Sequence, residues 1–154
     1  MNEPKKHQNY IPFESFEVGQ EQNFGAYDVT KDEIIDFAQK YDPQFFHLDE
    51  ETANQSLFGG LCASGWHTCA MTMAMMVENM AEKGLSLGSP GVDKLRWIKP
   101  VYPGDTLSVH MVVLETKASK SRPEIGFVTS KVTVSNGQSA VMEFVSVGIF
   151  PRAT

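Results

Sequence analysis

The stretch from Ser64 to Lys83, SGWHTCAMTMAMMVENMAEK, constrains the fold more than any other part of the chain. Ser64 is a suitable N-cap and Gly84 a suitable C-terminal stop, so the stretch is predicted to form one helix. Small residues and methionines cover nearly every side of this helix. A helix that is apolar all round is normally buried on most of its faces. The rest of the chain is therefore expected to supply a surface that wraps it.

A membrane-spanning helix is the alternative interpretation of such an apolar stretch. Polar side chains interrupt it, however, and Leu and Ile, the usual residues of membrane spans, are absent from it. Burial inside a folded domain, with no membrane contact, is the better prediction. The opening residues 1–16 lack the apolar core of a signal peptide, so we expect a cytoplasmic protein.

Alternation of apolar and polar residues after the helix predicts strands. Residues 107–113 and 128–134 alternate in this way, and further strands are predicted over residues 92–100 and 140–150, with an earlier strand near 22–29. Pro103-Gly104-Asp105 and Asn136-Gly137 are turn signals between them. Before the central helix, Thr30-Lys31-Asp32-Glu33 has the form of a capping box that begins a helix ending before Pro43. The fold class is α+β, with an antiparallel sheet wrapped around one long central helix.

Length and composition limit the domain organisation and the partners. With 154 residues, 42% of them hydrophobic, the chain is long enough for one domain with a substantial core. We expect a flexible N-terminal arm over residues 1–12 and a single domain over residues 13–154. The net charge of −6 argues against a nucleic-acid partner. The spacing of Cys62 and Cys69 suits neither a disulfide nor a metal-binding motif, so no metal is expected.

Asp42 and His47 are the residues best suited to acid–base chemistry. They stand five apart in a predicted loop, beside Phe45, Phe46 and Leu48. A carboxylate and an imidazole held together can bind one water and share its protons. Apolar neighbours are expected to move both pKa values toward the working pH. The alternative is structural: Asp42 caps the preceding turn, and His47 is a hydrogen-bonded, partly buried histidine.

Gly65, directly after the predicted N-cap, is a candidate for stabilising negative charge. An N–H at a helix start has no intrahelical partner and lies at the positive end of the helix dipole. Such a donor can stabilise the enolate-like transition state that forms when a thioester-conjugated alkene is hydrated. The alternative is that Gly65 only allows a neighbouring element to approach the helix closely.

These features, taken in order, resemble the MaoC-like dehydratases, a family that includes (R)-specific enoyl-CoA hydratases of the hot-dog fold. The resemblance extends from about Phe13 to the C-terminus and is strongest in YDPQFFHLDEETA, FGGLCASGWHT and LRWIKPVYPGDTL. The family's Asp-x4-His dyad falls on Asp42 and His47, its small residue on Ala53, and its oxyanion glycine on Gly65. In this chain Gln44 and Ser64 stand where many members carry Asn and His.

The resemblance implies reversible (R)-specific hydration of trans-2-enoyl-CoA, a step of fatty-acid metabolism and related pathways. Asp42 would take a proton from the water, His47 would orient it and help protonate C2, and the Gly65 N–H would bind the thioester carbonyl. Ser64, Gln44 and Trp66 are further candidates for contacting the substrate. No cofactor is implied beyond the CoA of the substrate, and a homodimer or a dimer of dimers is expected.

Two other functions remain open from the sequence. Hot-dog proteins include acyl-CoA thioesterases, which would activate water toward the thioester carbon instead of C3. A non-catalytic acyl-CoA-binding subunit could also keep the fold without turnover. Free thiol released from acyl-CoA distinguishes the first, and tight binding without turnover distinguishes the second.

Overall fold

A computed structural model describes residues 9–153 of the chain. Five strands and three α-helices form within these residues. In chain order they are β1 (Glu21–Asp28), α1 (Lys31–Tyr41), α2 (Glu50–Ala53), α3 (Gly65–Met80), β2 (Gly88–Trp97), β3 (Thr106–Ala118), β4 (Ile125–Ser135) and β5 (Ala140–Pro151). The α+β class, with its helices in the first half and a meander in the second, is as predicted.

The five strands form one antiparallel sheet in the order β1-β3-β4-β5-β2. β3, β4 and β5 are consecutive neighbours, whereas β1 and β2 lie at the two edges. The segment of the chain between β1 and β2 carries α1, α2 and α3. Helix α3 packs against the sheet. This is the hot-dog fold, and it confirms the predicted sheet around a long helix.

The core lies between α3 and the concave face of the sheet. Met71 and Met75 of α3 are 2% and 3% exposed and pack against the inward residues of β3, β4 and β5. Those inward residues are Leu107, Val109, Val132, Val134, Val141 and Met142. Alternate positions of β4 are buried, as expected for a strand with one face on a core. The outer face of α3 is not covered by this sheet, in contrast to the prediction of burial on most faces.

Helix α1 begins where its capping box predicts, but only half of the box forms, because the Glu33 carboxylate binds Tyr27 and His67 instead of a backbone N–H. The Thr30 hydroxyl accepts a hydrogen bond from the Glu33 N–H at 3.2 Å. Ile34 and Ala38, one turn apart, are fully buried and fix the inner face of the helix. The helix ends at Tyr41, two residues before Pro43. Asp42 consequently stands at the C-cap position, where the chain leaves the helix.

The packed part of the chain begins before Phe13. Residues 1–8 of the predicted arm lie outside the described residues. Of the remainder, the Ile11 N–H donates to the Leu85 carbonyl at 2.9 Å, and its side chain packs in a small cluster with Val113, Val128 and Phe150. Residues 9–12 are therefore attached to the domain rather than free of it.

Gly25 allows α3 to approach β1 closely. It has φ +87°, and a Cβ built there would stand 2.5 Å from the Met75 sulfur. The register of β1 against β3 shifts between Phe24 and Tyr27, around this glycine. A glycine at the irregularity thus removes both the backbone strain and the steric overlap that another residue would introduce. Among residues 9–153 no helix is long and apolar enough to cross a membrane.

Candidate active site

Asp42 and His47 are brought together at the end of α1. The segment after Asp42 passes Pro43 and forms a single 3₁₀ turn over Phe45–His47, which turns the imidazole back toward the helix end. Nε2 of His47 lies 3.4 Å from Oδ2 of Asp42. The side chains are 7% and 18% exposed, respectively. The pair is largely shielded from solvent but not sealed.

The backbone fixes which nitrogen of His47 faces Asp42. Nδ1 lies 2.6 Å from the carbonyl oxygen of Cys62. A carbonyl can only accept, so Nδ1 carries a proton and donates it there. In the neutral ring Nε2 is then left with a lone pair beside the Asp42 carboxylate. Two acceptors facing each other at 3.4 Å suit a shared donor such as water, which can donate one hydrogen to each.

Asp42 accepts hydrogen bonds on both of its oxygens. The Ser64 hydroxyl donates to Oδ2 at 2.7 Å, and the Gln44 amide donates to Oδ1 at 2.6 Å. Burial alone would raise the pKa of Asp42, but these two bonds and the neighbouring His47 outweigh it and hold the pKa of this carboxyl below its usual value. The expected shift of this pKa toward neutrality was wrong. Desolvation was anticipated, but the two donors were not.

Ser64 connects the pair to the start of α3. It is fully buried and occupies the N-cap position, yet its side chain makes no capping hydrogen bond, because the hydroxyl is directed to Asp42. The prediction that Ser64 caps the helix with its side chain is corrected here. The consequence is that the first N–H groups of α3, beginning with Gly65, receive no acceptor from this side chain. The positive end of a 16-residue helix therefore lies directly beside the Asp42 carboxylate.

Gly65 is closely covered by Trp97 of β2. A Cβ at position 65 would overlap the indole ring, and the indole N–H donates to the Gly65 carbonyl at 2.9 Å. The close-approach interpretation of this glycine therefore holds, and it leaves the N–H role open. Trp66 meets the same indole edge-on at 5.2 Å between ring centres and is 60% exposed. It lies on the outer face of α3, away from the core.

Cys62 is the closest thiol to the pair. Its sulfur lies 3.8 Å from Nδ1 of His47, and the residue is 1% exposed. Burial, together with the negative charge of Asp42, raises the pKa of this thiol to about 11. Cys62 is therefore a neutral, buried side chain whose backbone carbonyl, rather than its sulfur, serves the site.

Two clefts border this region without including the pair. One, of about 280 Å³, lies between α1 and α3, and one, of about 440 Å³, lies beside Gly60 and Tyr102. Neither has Asp42 or His47 in its lining. Within residues 9–153 no group of three or more His, Cys, Asp or Glu side chains could hold a metal ion.

Sequence reasoning missed three residues near the site. Trp97 touches Gly65 from 32 positions away, and Glu33 and Tyr27 join a hydrogen-bonded group with His67. These contacts join residues of different elements, so no local spacing in the sequence predicts them. His67 itself is 3% exposed and contacts Glu33.

Comparison with known sequences gives one family. The family model described as "MaoC like domain" matches residues 14–138. The uncharacterised protein YdeM of Bacillus subtilis is 32% identical over 126 residues, which are 82% of this chain and 88% of that protein. A mesaconyl-CoA hydratase of Haloarcula marismortui is 35% identical over 89 residues. That match covers 58% of this chain but only 24% of the longer relative.

Solved structures agree with the sequence comparison. A MaoC-like dehydratase from Rhodospirillum rubrum superposes with a TM-score of 0.82 at 36% identity, covering 95% of this chain and 99% of that one. The (R)-hydratase PhaJ1 from Pseudomonas aeruginosa, in its unliganded form, gives a TM-score of 0.68 at 25% identity, with 93% and 87% covered. The architecture is thus shared across nearly the whole chain.

Proposed function

Because this chain belongs to the MaoC-like dehydratase family, we propose that it hydrates trans-2-enoyl-CoA to (R)-3-hydroxyacyl-CoA and catalyses the reverse dehydration. One observation carries the proposal. A carboxylate and the lone pair of an imidazole face each other beside the N-terminus of α3. That arrangement can hold a water, take a proton from it and stabilise negative charge on a nearby oxygen. These are the needs of conjugate hydration.

The proposed step begins with a water that donates to Oδ2 of Asp42 and to Nε2 of His47. Its oxygen attacks C3 of the enoyl thioester while one of its protons passes to the pair. The C2–C3 π electrons move toward the thioester carbonyl, giving an enolate-like oxygen. The pair then returns one proton to C2. One proton leaves the water and one reaches carbon, so the reaction needs no cofactor beyond the CoA of its substrate.

The Gly65 N–H is the proposed donor to the thioester oxygen. Ser64, the preceding residue, contacts Asp42 at 2.7 Å, so the helix start and the attacking water lie on the same side of the site. Charge grows on the thioester oxygen only as the water attacks, so this N–H stabilises the transition state more than the substrate. Removing one such donor in other enzymes costs about 3 kcal/mol of that stabilisation. Trp66 and Gln44 remain candidates for substrate contact, Gln44 through its hold on Asp42.

The proposal that the substrate is an acyl-CoA is supported by the names of two relatives. The Haloarcula protein is named as the hydratase of a CoA thioester, and the Pseudomonas protein is named as an (R)-hydratase. The first is a much longer protein, of which the match covers 24%. CoA thioesters are intracellular metabolites, and we accordingly expect the protein to act in the cytoplasm.

A second copy of the chain is proposed to cover the outer face of α3. Trp66, Met73 and Val77 lie on one helical stripe and are 60%, 55% and 49% exposed. Trp66 joins this stripe to Trp97 of the edge strand β2, where Val92 is also half exposed. An apolar patch beside an open strand edge is typical of an interface. A homodimer would bury the patch and add a wall beside the helix start, where neither cleft of the single chain reaches the pair.

The test of the reaction is an assay with a panel of trans-2-enoyl-CoA thioesters of increasing length. We expect loss of the enoyl absorbance and formation of the (R)-3-hydroxy product. The Asp42→Asn variant should lose at least about 100-fold in kcat/KM while keeping its fold. Asp32→Asn, the same chemical change on the exposed face of α1, is the matched control and should behave as wild type.

If the wild type turns over the thioester, three outcomes would contradict the proposal. They are near-normal turnover in Asp42→Asn, an (S) product, and release of free thiol with the enoyl chromophore intact. The last outcome would select a thioesterase. Tight binding of the thioester with no turnover by the wild type would select a non-catalytic subunit.

A further inference from the structure

We propose that His67, held by Glu33, is a positioning residue that fixes α1 against the start of α3 and thereby sets the place of Asp42. This inference rests on the proposed function, because Asp42 matters only if the pair acts on water. His67 does not touch Asp42 or His47 in the described contacts. Its effect would pass through the helix that ends at Asp42.

Three successive turns of α1 contact the first turn of α3. Oε1 of Glu33 lies 3.0 Å from Nε2 of His67. The Phe37 ring stacks on the same imidazole, with 4.7 Å between ring centres and 9° between planes. Asp42 then reaches Ser64. Two of the three contacts are made by His67, and the third is the catalytic carboxylate itself.

Glu33 is held from a third element as well. The Tyr27 hydroxyl of β1 donates to Oε1 of Glu33 at 2.5 Å. One carboxylate oxygen therefore joins β1, α1 and α3. Burial works to raise the pKa of Glu33, but the bonds from Tyr27 and His67 outweigh it and lower the pKa, so the carboxylate is ionised at neutral pH. An ionised carboxylate only accepts, so Nε2 of His67 carries the proton that it donates.

The burial of His67 makes this contact costly to lose. The residue is 3% exposed, and within residues 9–153 its Nδ1 has no hydrogen-bond partner. A histidine that served packing alone would be replaceable by an apolar side chain of similar size. Here such a replacement would keep an apolar contact with Phe37 but remove one of the two bonds that hold Glu33, leaving the Tyr27 hydroxyl as its partner. The place of Asp42 would then depend on Ser64, Gln44 and the buried inner face of α1, without the link through His67.

Displacement by about 1 Å of a group that orients a reacting atom can cost up to about 100-fold in rate. We expect His67→Leu and Glu33→Met, which removes the acceptor, each to lower kcat about tenfold, with KM changed less than about twofold. The double variant should lose little more than either single variant, because both remove the same contact. Thr72→Val is the matched control. It removes a buried hydrogen bond within α3, from the Thr72 hydroxyl to the Thr68 carbonyl at 2.8 Å, and leaves α1 untouched.

A second readout requires no substrate. The ¹³C NMR titration of the Asp42 carboxyl reports whether its partners are in place. In His67→Leu the pKa of Asp42 should rise toward its ordinary value, since a displaced α1 weakens the bond from Ser64. In Thr72→Val it should stay at the wild-type value.

The two hypotheses fail in different ways. If the wild type hydrates no enoyl-CoA, the proposed function fails, whereas the carboxyl titration still tests the positioning role. If His67→Leu and Thr72→Val lower Tm alike, and His67→Leu keeps both its kcat and the wild-type pKa of Asp42, then His67 only packs and the inference is overturned.

Discussion

Asp42 carries two opposing requirements in one side chain. It must lie close enough to His47 to share a water, yet its burial disfavours the ionised form that accepts from that water. Ser64 and Gln44 resolve the conflict by donating to its two oxygens. The carboxylate is thereby kept charged, with a smaller contribution from the neighbouring His47, and its Oδ2 still faces Nε2 of His47 at 3.4 Å.

This arrangement has a consequence for acid stability. The folded-state pKa of Asp42 lies below its ordinary value of 3.8. The ionised form therefore stabilises the fold fully above about pH 4, and that contribution is lost as the pH falls through the folded-state pKa. We expect the free energy of unfolding to fall less between pH 6 and pH 3 in Asp42→Asn than in wild type. Urea denaturation at each pH measures it.

Asp42 is not the only carboxyl that should make the stability of the fold depend on acid pH. Glu33 also has a lowered pKa and contributes in the same direction, so some acid sensitivity should remain in Asp42→Asn. Identical pH profiles for the two proteins would mean that the bonds from Ser64 and Gln44 do not survive in solution.

At the scale of elements, the approach of α3 to β1 depends on one missing side chain. Gly25→Ala would impose both a strained φ of +87° and an overlap with the Met75 sulfur. We expect a loss of about 2–4 kcal/mol in the free energy of unfolding, combining left-handed strain with overpacking. Gly137→Ala is the matched control. Its φ is +90°, but nothing stands within 4 Å of its Cβ position, so about 1 kcal/mol is expected.

Equal losses in the two variants would show that strain, not contact with α3, is the reason for glycine at position 25. A partial recovery in the double variant Gly25→Ala/Met75→Ala would support the contact. Urea unfolding of the four proteins decides between the two explanations.

The elements differ in how well the sequence predicts them. β4 alternates cleanly, and Asn136-Gly137 joins it to β5, so β5 was predicted to within one residue of its ends and β4 to within three. β2 was expected over residues 92–100 but spans Gly88–Trp97. Its first residues, including Pro90, have the composition of a turn, although an edge strand tolerates proline. β3 continues to Ala118 through charged residues that carry no alternation. α3 ends at Met80 rather than near Lys83, because a turn to Gly84 replaces its last residues.

The contacts of the candidate site also differ in how well the sequence predicts them. Asp42 and His47 are five residues apart, so their proximity could be inferred locally. The bond from Ser64 to Asp42 spans 22 residues, and the contact of Glu33 with His67 spans 34. Both depend on how α1 lies across α3, which no periodicity encodes. The family resemblance placed the residues in one site but did not reveal which hydrogen bonds hold them.

At the scale of the whole molecule, the exposed stripe on α3 predicts self-association. Met73→Glu places a charge on that stripe, where Met73 is 55% exposed, so the fold should survive while the dimer dissociates. Light scattering coupled to size exclusion should then give a mass near 17.1 kDa for the variant and about twice that for wild type.

Val18→Glu is the control for this experiment. Val18 is 64% exposed and precedes β1, at the opposite edge of the sheet from β2. It should remain dimeric. A monomeric wild type, or dissociation of both variants alike, would contradict an interface on α3.

The neutral state of Cys62 also decides which bond of a thioester can react here. With a pKa of about 11, only about one thiol in ten thousand is a thiolate at pH 7. A sulfur nucleophile beside an acyl-CoA could otherwise capture the acyl group and expel CoA, leaving the protein acylated. Its protonation would keep the carbon–sulfur bond intact while, in the proposed reaction, water adds two carbons away. The protein would thus be protected from modification by its proposed substrate.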